Sequence, residues 1–327
     1  MRMKFVAMVM AALLFVACAA DAETVGVEIY RSDDTFITSM REAMEDAAAG
    51  QIDLKFADGQ NSQAVQDERI CGDAAEGVDV LAVNPVDPTA ASVILEKAQA
   101  EGIPVVFFNR EPDAADLPDG GWYYVGAPAE QSGAMEGELM ADYFKAHPEA
   151  DRNGDGVIQY VLLEGQVGHQ DAAIRSEYSV NAFRAAGFQV SLVASERANW
   201  QRSEAQDIMT EWLAAYDDIE AVFANDDDMA LGAIDALKTA GYFSGGKFMP
   251  VVGVDASAQA LEAMREGTLL GTVFNDAVNQ GRAVVRLAQV LARNEAPTPE
   301  NVGYPITDGR YIWIPYRKVA AETRGAG

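Results

Sequence analysis

The acidic loop DRNGDGVIQ, residues 151–159, carries side-chain oxygen atoms at alternate positions, as calcium-binding loops do. Asp151, Asn153 and Asp155 take the first, third and fifth positions of such a loop. Gly156 follows where the chain must turn sharply, and Gln159 stands at the ninth position, which often supplies a ligand. The acidic loop therefore has the first half of an EF-hand pattern.

The second half of that pattern is missing. An EF-hand loop ends with a bidentate glutamate at its twelfth position, and here that position is Leu162. No second helix follows, because IQYVLLEG, residues 158–165, has the apolar character of a strand. The residues alone leave two interpretations open: an acidic turn without a metal ion, or a metal site completed from elsewhere in the chain.

A second polar cluster follows in EGQVGHQDAAIR. His169, Asp171 and Arg175 fall in the turn after a predicted strand and at the start of the next predicted helix. A guanidinium fork and carboxylates can hold vicinal hydroxyl groups by bidentate hydrogen bonds. Phe36 and Trp200 follow other predicted strand ends, where each could cover the apolar face of a sugar ring or belong to the core.

The elements that must position these residues alternate along the chain. Short apolar runs are followed by longer amphipathic stretches, which predicts parallel sheets covered by helices on both faces. The pattern restarts after the acidic loop, so the sequence predicts an α/β, doubly wound fold that is repeated. The predicted strands are 25–30, 52–57, 78–84, 103–109, 122–126, 158–165, 188–194, 219–225, 249–255 and 269–275.

Polar residues follow many of these strands. In open α/β sheets the ligand crevice lies beyond the carboxyl ends of the strands, so such side chains point toward one cleft. Any single Asn or Asp could instead cap the following helix, and the residues do not decide between the two roles. The set comprises Asp33, Asp34, Asn84, Asn225, Asp226, Asn275 and Asp276.

Composition limits the possible functions. The chain has 327 residues, of which 49% are hydrophobic, enough for two domains with their own cores. The formal net charge is −27, and no basic stripe is present, which argues against binding nucleic acid. The interpretation that requires no specific function is that this charge makes the surface soluble and self-repelling.

The N-terminus has the pattern of an export signal. Arg2 and Lys4 precede the apolar run FVAMVMAALLFVA, and the A-x-A pattern at residues 20–22 predicts a signal peptide over 1–22. FVAC, ending at Cys18, weakly resembles a lipoprotein box, so lipid anchoring is the alternative to plain export. Either route places the mature protein outside the cytoplasm, in the periplasm.

Enzyme and repressor alternatives find little support. The chain has no G-x-S-x-G elbow, no P-loop and no G-x-G-x-x-G after a strand. Cys71 lies in a predicted helix and is expected to be buried. The cleft carboxylates Asp34, Asp171 and Asp255 could imitate a glycosidase pair. A repressor of the LacI type would need a basic helix-turn-helix where this chain has its signal segment.

Several motifs carry a resemblance to a known family. VEIYRSDDTFITSMREAME, VVFFNREP, YYVGAPAEQSG, AVFANDDDMALGAIDALK, VVGVDA, GTVFNDAVNQG and the acidic loop followed by GHQDAAIR recur in order through nearly the whole mature chain. They resemble the bacterial periplasmic galactose/glucose-binding proteins, which are type I periplasmic binding proteins of ABC sugar importers. The calcium loop followed by GHxDAxxR is the most specific of these motifs.

The resemblance implies two Rossmann-like domains joined by a three-segment hinge. The N-terminal lobe would comprise residues 23–127 and 275–312, and the C-terminal lobe 128–274 and 313–327. The lobes would close on one hexose, D-glucose or D-galactose, and deliver it as a monomer to the membrane subunits of an ABC importer, and in some cases to a chemoreceptor. A different sugar, such as xylose or a methyl galactoside, is the alternative ligand.

The resemblance also implies a set of sugar contacts. Asp226 departs from the family pattern, which has Asn at this position, so an amide donor is lost and a charge is added. The departure puts the identity of the sugar in doubt, but not its class. The implied stacking residues are Phe36 and Trp200, and the implied polar contacts are Asp34, Asn109, His169, Asp171, Arg175, Asp226, Asp255 and Asn275.

The family also completes the metal site. The bidentate carboxylate that the acidic loop lacks comes from a distant strand, and it falls on Glu220 in DDIEAVFAN. A structural Ca²⁺ is therefore implied, because about seven oxygen ligands suit Ca²⁺ better than Mg²⁺. The implied ligands are Asp151, Asn153, Asp155, the main-chain carbonyl of Val157, Gln159 and Glu220.

Overall fold

The computed structural model describes residues 23–320. The predicted signal peptide and Cys18 lie outside the described residues, as do residues 321–327 of the predicted C-terminal lobe. Within the described range, no helix is both long and apolar enough to cross a membrane.

The first part of the chain alternates strands and helices. Its elements are β1 (Thr24–Ile29), α1 (Thr35–Ala48), β2 (Asp53–Asp58), α2 (Gln63–Glu76), β3 (Val80–Val83), α3 (Ala91–Ala100), β4 (Val105–Phe108) and β5 (Trp122–Gly126). The second part repeats the alternation. Its elements are α4 (Ala129–Ala146), β6 (Val157–Glu164), α5 (Gln170–Ala185), β7 (Gln189–Arg197), α6 (Arg202–Ala215), β8 (Ala221–Ala224), α7 (Asp227–Thr239), β9 (Val251–Asp255), α8 (Ala258–Glu266) and β10 (Gly271–Phe274).

The chain then returns to the first part and crosses over once more. The closing elements are α9 (Ala277–Ala292), α10 (Pro299–Val302), β11 (Tyr311–Trp313) and β12 (Arg317–Ala320). The first sheet has six parallel strands in the order β2-β1-β3-β4-β5-β11. The second has six strands in the order β7-β6-β8-β9-β10-β12, with β12 antiparallel to β10. The two sheets define two α/β domains, as the alternation predicts.

The chain passes between the two sheets three times: after β5, after β10, and between β11 and β12. Trp313, one residue beyond the predicted lobe boundary at residue 312, pairs with Gly126 in the first sheet. β11 and β12 are absent from the predicted strands, because segments of three and four residues are too short to show a periodic pattern.

Successive side chains of a strand point to opposite faces of the sheet. Helices cover both faces, so the buried side chains are apolar on both. In β3, Val80 and Ala82 belong to the core that α1 and α9 cover, whereas Leu81 and Val83 belong to the core under α2 and α3. The prediction that Cys71 is buried is wrong, since this residue of α2 is exposed.

Two helical glycines differ sharply in the space around them, and this difference predicts opposite effects of substitution. A Cβ atom at Gly137 of α4 would lie 2.2 Å from the main-chain oxygen of Ser179 in α5, whereas a Cβ at Gly72 of α2 would meet nothing within 4 Å. Gly72→Ala is expected to raise the free energy of unfolding by about 0.5–1 kcal/mol, because alanine favours the helix. Gly137→Ala makes the same change in helix preference but should lower it by about 1–3 kcal/mol through overpacking.

The midpoints of urea unfolding of both variants and the parent protein, followed by circular dichroism, test this expectation. A midpoint of Gly137→Ala at or above that of the parent protein would contradict the close packing of α4 on α5.

Candidate functional site

A cavity of about 240 Å³ lies between the two domains, at the carboxyl ends of both sheets. The structure brings all ten predicted sugar contacts to its wall: Asp34, Phe36, Asn109, His169, Asp171, Arg175, Trp200, Asp226, Asp255 and Asn275. The wall also includes residues that the sequence reasoning did not select, among them Tyr30, Thr35, Asp227, Asp228 and Ser257. The sequence could have indicated them only by position, because each lies within a few residues of a predicted sugar contact.

In the first domain, the two carboxylate oxygens of Asp34 accept hydrogen bonds from different groups. Asp34 is the N-cap of α1, where its Oδ1 accepts from the main-chain N–H of Ile37 at 2.8 Å. Its Oδ2 accepts from the hydroxyl of Tyr30. Cap and cavity residue are thus the same residue, so the two alternatives for strand-end aspartates do not exclude each other here. Asn109, just after β4, accepts from Asn84 Nδ2 at 3.1 Å.

In the second domain, His169 caps α5, and Arg175 lies one helical turn after Asp171. His169 Nδ1 accepts from the main-chain N–H of Asp171 at 3.2 Å. The Arg175 guanidinium donates to the Asn225 carbonyl at 2.8 Å and to the Tyr316 hydroxyl at 2.9 Å. It also lies 3.4 Å from Asp171 Oδ2. The guanidinium is therefore held in place from three sides, while its Nε has no hydrogen-bond partner.

Trp200 forms the apolar part of this wall. Its ring lies edge to face against His169, with ring centroids 5.0 Å apart, and Arg175 lies 5.9 Å from the ring. A Cβ at Gly165 would stand 2.0 Å from the indole, so only glycine fits beside it. Trp200 Nε1 is buried and has no hydrogen-bond partner among the described residues.

Three further predicted residues end neighbouring strands of the second sheet. Asp226, after β8, caps α7 by accepting from Met229 N–H at 2.8 Å. Asp255, at the end of β9, accepts from Asn275 Nδ2 at 3.1 Å. Asn84 and Asn225, which the sequence also placed at strand ends, are buried and are not part of the cavity wall. Asn225 instead accepts from Gly165 N–H at 3.0 Å, behind the wall.

Burial shifts the pKa values of the cavity groups. It raises the pKa of Asp171 to about 6, although Arg175 acts in the opposite direction. Burial also raises the pKa values of Asp226 and Asp255 well above the usual range of a carboxyl group. It lowers the pKa of His169 well below the usual range, and Arg110 and Arg175 add to this effect, so this imidazole is neutral near pH 7. The cavity therefore offers many acceptors and few charged donors.

Side chains from the two domains meet around the cavity. Thr35 Oγ1 donates to Asp228 Oδ2 at 2.6 Å, and Arg110 Nη2 donates to Gln166 Oε1 at 2.7 Å. The Arg31 guanidinium reaches the Trp200 carbonyl at 3.4 Å. These bonds join the domains in a closed arrangement. They could not be predicted from sequence, since each pairs residues of different domains.

The acidic loop is well ordered by its own hydrogen bonds. Main-chain N–H groups of Gly154 and Gly156 donate to the two carboxylate oxygens of Asp151 at 2.8 and 2.9 Å. The N–H of Val157 donates to Asp155 Oδ1 at 2.8 Å. Both glycines have positive φ, 72° and 78°, which allows the tight turns.

Glu220 joins the acidic loop to the strand behind it. This buried carboxylate accepts from the main-chain N–H of Arg152 at 2.6 Å and of Gln159 at 3.3 Å. Gln159 Nε2 lies 2.9 Å from Asp155 Oδ2, and Asn153 Nδ2 lies 3.2 Å from Gln159 Oε1. All five predicted side-chain ligands of the metal are therefore in contact with one another or with the loop backbone.

The donor set decides which cation would suit this loop. Among residues 23–320, no group of three His, Cys, Asp or Glu side chains is close enough to hold a metal ion. A cation at the acidic loop therefore needs the amide oxygens of Asn153 and Gln159 and a main-chain carbonyl in addition to carboxylates. Ca²⁺ accepts such mixed oxygen ligands in flexible geometry, so the donor set fits it.

Comparison with known proteins agrees with this architecture. Residues 25–296 match the family described as periplasmic binding protein domain. The chain is 40% identical to the D-galactose/methyl-galactoside binding periplasmic protein MglB of Haemophilus influenzae, over 94% of this chain and 92% of that protein. It is 36% identical to a protein of Rhizobium meliloti named as rhizopine-binding, over 97% and 96% of the two chains.

A solved structure is similar over the same extent. The ABC transporter solute binding protein of Bacillus halodurans with bound myo-inositol superposes with a TM-score of 0.78 and is 31% identical, over 93% of this chain and 96% of that one. The chain belongs to the periplasmic binding protein family and has its type I fold. The family is described as one of periplasmic binding proteins.

The raised pKa of Asp171 predicts a pH dependence of stability for the ligand-free protein. Because burial raises the pKa of Asp171 to about 6 in the folded protein, its protonated carboxyl group stabilises the fold. This contribution is complete below the pKa of the unfolded chain and is lost as pH rises through 6. Asp171→Asn lacks this contribution. Its stability relative to the parent protein should therefore rise between about pH 4 and pH 7.5, by up to about 3 kcal/mol.

Urea unfolding at several pH values checks this expectation, with Asp207→Asn, at an exposed aspartate of α6, as the matched control. The control should keep a constant difference from the parent protein. A constant difference for Asp171→Asn as well would show that Asp171 does not titrate as its burial implies.

Proposed function

We propose that this protein is the substrate-binding component of an ABC sugar importer and that it works in the periplasm. The observation that carries the proposal is the convergence of all ten predicted sugar contacts on one cavity between two domains. The resemblance selected those residues by motif, and the structure gathers them independently of any ligand.

The chemistry of the wall suits a polyhydroxylated ring. Asp34, Asp171 and Asp255 offer carboxylate oxygens, and Arg175 and Trp200 have buried N–H groups without a partner. A sugar hydroxyl can both donate and accept, so one ring can satisfy both kinds of group. A ligand with an inverted or missing hydroxyl would leave a buried group unpaired, and selectivity follows from that cost.

D-Galactose and D-glucose are the hexoses that the resemblance favours. The Haemophilus influenzae relative is named for D-galactose and methyl-galactoside, which supports a ligand of this type. The Bacillus halodurans structure contains myo-inositol, so a cyclic polyol is compatible with the same fold. Xylose and a methyl galactoside remain the alternative ligands of the binding class.

Domain closure is the mechanism that we propose for uptake. The sugar would bind to one domain, and rotation about the three crossing segments would bring the other domain over it. Contacts such as Thr35 with Asp228 would form on closure and mark the loaded protein for the membrane subunits. Presentation to a chemoreceptor and action as a monomer stay predictions from the resemblance.

We also propose that the acidic loop and Glu220 bind a structural Ca²⁺. The ion would join the loop to β6 and to the start of β8 within one domain, through Asp151, Asn153, Asp155, the Val157 carbonyl, Gln159 and Glu220. Its contribution would be stabilisation of the folded state by binding, since nothing places it at the cavity.

The two histidines give a matched test of the sugar site. His169 lines the cavity, whereas His147, at the end of α4, is exposed. His169→Ala should weaken binding of the preferred sugar about 10- to 100-fold, because a buried hydrogen-bonding group is lost. His147→Ala should bind as the parent protein does.

Calorimetric titration with D-galactose, D-glucose, methyl galactoside, xylose and myo-inositol provides the affinities, and Trp200 fluorescence should change with saturation. If no member of this panel bound at millimolar concentration, the proposal of a neutral-sugar ligand would be contradicted.

The calcium proposal predicts a stabilisation that a chelator removes. At a free Ca²⁺ concentration 100 times the dissociation constant, the folded state gains about 2.7 kcal/mol. Thermal melting of the parent protein should therefore shift to lower temperature when a chelator is added, and Glu220→Gln should melt at the lower temperature with or without it. Asp218→Asn, at an exposed acidic residue two positions before Glu220, is the control and should respond as the parent protein does. An equal melting temperature of the parent protein in Ca²⁺ and in chelator would count against the site.

A further inference from the structure

The cavity wall has many more acidic than basic side chains. Among residues 23–320, Arg175 is the only Arg or Lys on it, and the only histidine, His169, is neutral near pH 7 because burial lowers its pKa. Six carboxyl groups face this single cation: Asp34, Asp171, Asp226, Asp227, Asp228 and Asp255. A neutral sugar would leave that inequality as it is.

Two of the six carboxylates, Asp227 and Asp34, have protein partners on both oxygens. Asp227 accepts from Thr272 Oγ1 at 2.6 Å and from Ser257 N–H at 2.7 Å. Asp34, as described above, is held by Tyr30 and by the start of α1. These groups need nothing from a ligand.

Asp171, Asp226, Asp228 and Asp255 each have a partner on one oxygen only. Asp226 differs from the other three because no arginine is among the charges that act on it most strongly. Its side chain is 7% exposed, and its Oδ1 accepts from Met229 N–H. No group in residues 23–320 donates to its Oδ2. The charges that act most strongly on it are carboxylates, those of Asp228, Asp255 and Asp34, and their repulsion adds to burial in raising its pKa. Asp226 is thus a buried acid with a free oxygen at the cavity and no cation beside it.

Arg175 does not serve as that cation. Its guanidinium is committed to Asp171, to the Asn225 carbonyl and to Tyr316. A buried carboxylate without a counter-charge is unfavourable, so it either keeps a proton or receives a cation from the ligand. An ammonium group is small and has three donors, which suits a free carboxylate oxygen in a cavity of about 240 Å³.

We propose that the cavity takes a monosaccharide or cyclic polyol that carries a protonated primary amine, with the Asp226 carboxylate as its counter-ion. This inference rests on the proposed function, since it names the class of sugar that the same site prefers. The ring would be held by the remaining wall, and the amine would select the ligand through Asp226.

The test uses pairs of ligands that differ only by an amino group in place of a hydroxyl. Calorimetric titration at neutral pH compares D-galactosamine with D-galactose, D-glucosamine with D-glucose, and an inosamine with the corresponding inositol. In the parent protein at least one amine should bind about tenfold or more tightly than its neutral partner, as expected for a buried charge pair.

The variant Asp226→Asn keeps the shape and the helix-capping acceptor but removes the charge. It should reduce that preference to about twofold or less, a loss of nearly the whole effect of one charge pair. Asp226→Ser, which also keeps a good cap, repeats the test in case the amide disturbs folding, and circular dichroism checks both variants. Asp207→Asn on α6 should leave the preference unchanged.

The outcomes are distinguishable. If the neutral member of every pair binds as tightly as the amine or more tightly, the amine proposal fails while sugar binding stands. If no ligand of any pair binds, both proposals fail. If the amine preference survives in Asp226→Asn and Asp226→Ser, the role assigned to Asp226 is wrong.

Discussion

The carboxyl ends of the parallel strands of both sheets open onto one cavity, and the rest of the site depends on this arrangement. In a parallel sheet each strand is followed by a helix, so the end of a strand lies beside the amino end of the next helix. Asp34, His169 and Asp226 use that position twice, because each caps a helix and also lines the cavity. The positive ends of the helix dipoles favour negative charge there. The fold can therefore hold more carboxylates around one cavity than a surface without helix ends could.

The single guanidinium of the cavity also connects the ligand region to the hinge. Arg175 donates to the hydroxyl of Tyr316, and Tyr316 lies on the segment that crosses from β11 to β12. Glu136 of α4 is buried close by, with an oxygen that has no hydrogen-bond partner. A ligand that draws on Arg175 thus acts on a side chain that already holds one of the three crossing segments. This contact would link the proposed sugar binding directly to the proposed domain rotation.

The alternation of apolar runs and amphipathic stretches was sufficient to predict the α/β architecture and ten strands close to their observed positions. It could not predict β11 and β12, which are too short for a period and are fixed by pairing with β5 and β10. Cys71 shows a second limit. Residue type favoured burial, but the phase of α2 buries Gln66 and Ile70, four positions apart, and turns Cys71 away from them. Phase is set by the neighbouring layer, and a single residue does not reveal it.

Ten residues of the cavity wall were predicted through the family resemblance, but the backbone conformation that holds them was not. Asn109, Trp200 and Asp255 have positive φ values of 62°, 62° and 118°, which residues other than glycine adopt rarely. Such conformations persist only where the surrounding structure imposes them, and they concentrate at functional sites. At Trp200 the positive-φ conformation is accompanied by close packing, since the indole ring occupies the space where Gly165 lacks a side chain. The local preference of these three residues is thus overridden by contacts made across the fold, and those contacts place their side chains at the cavity.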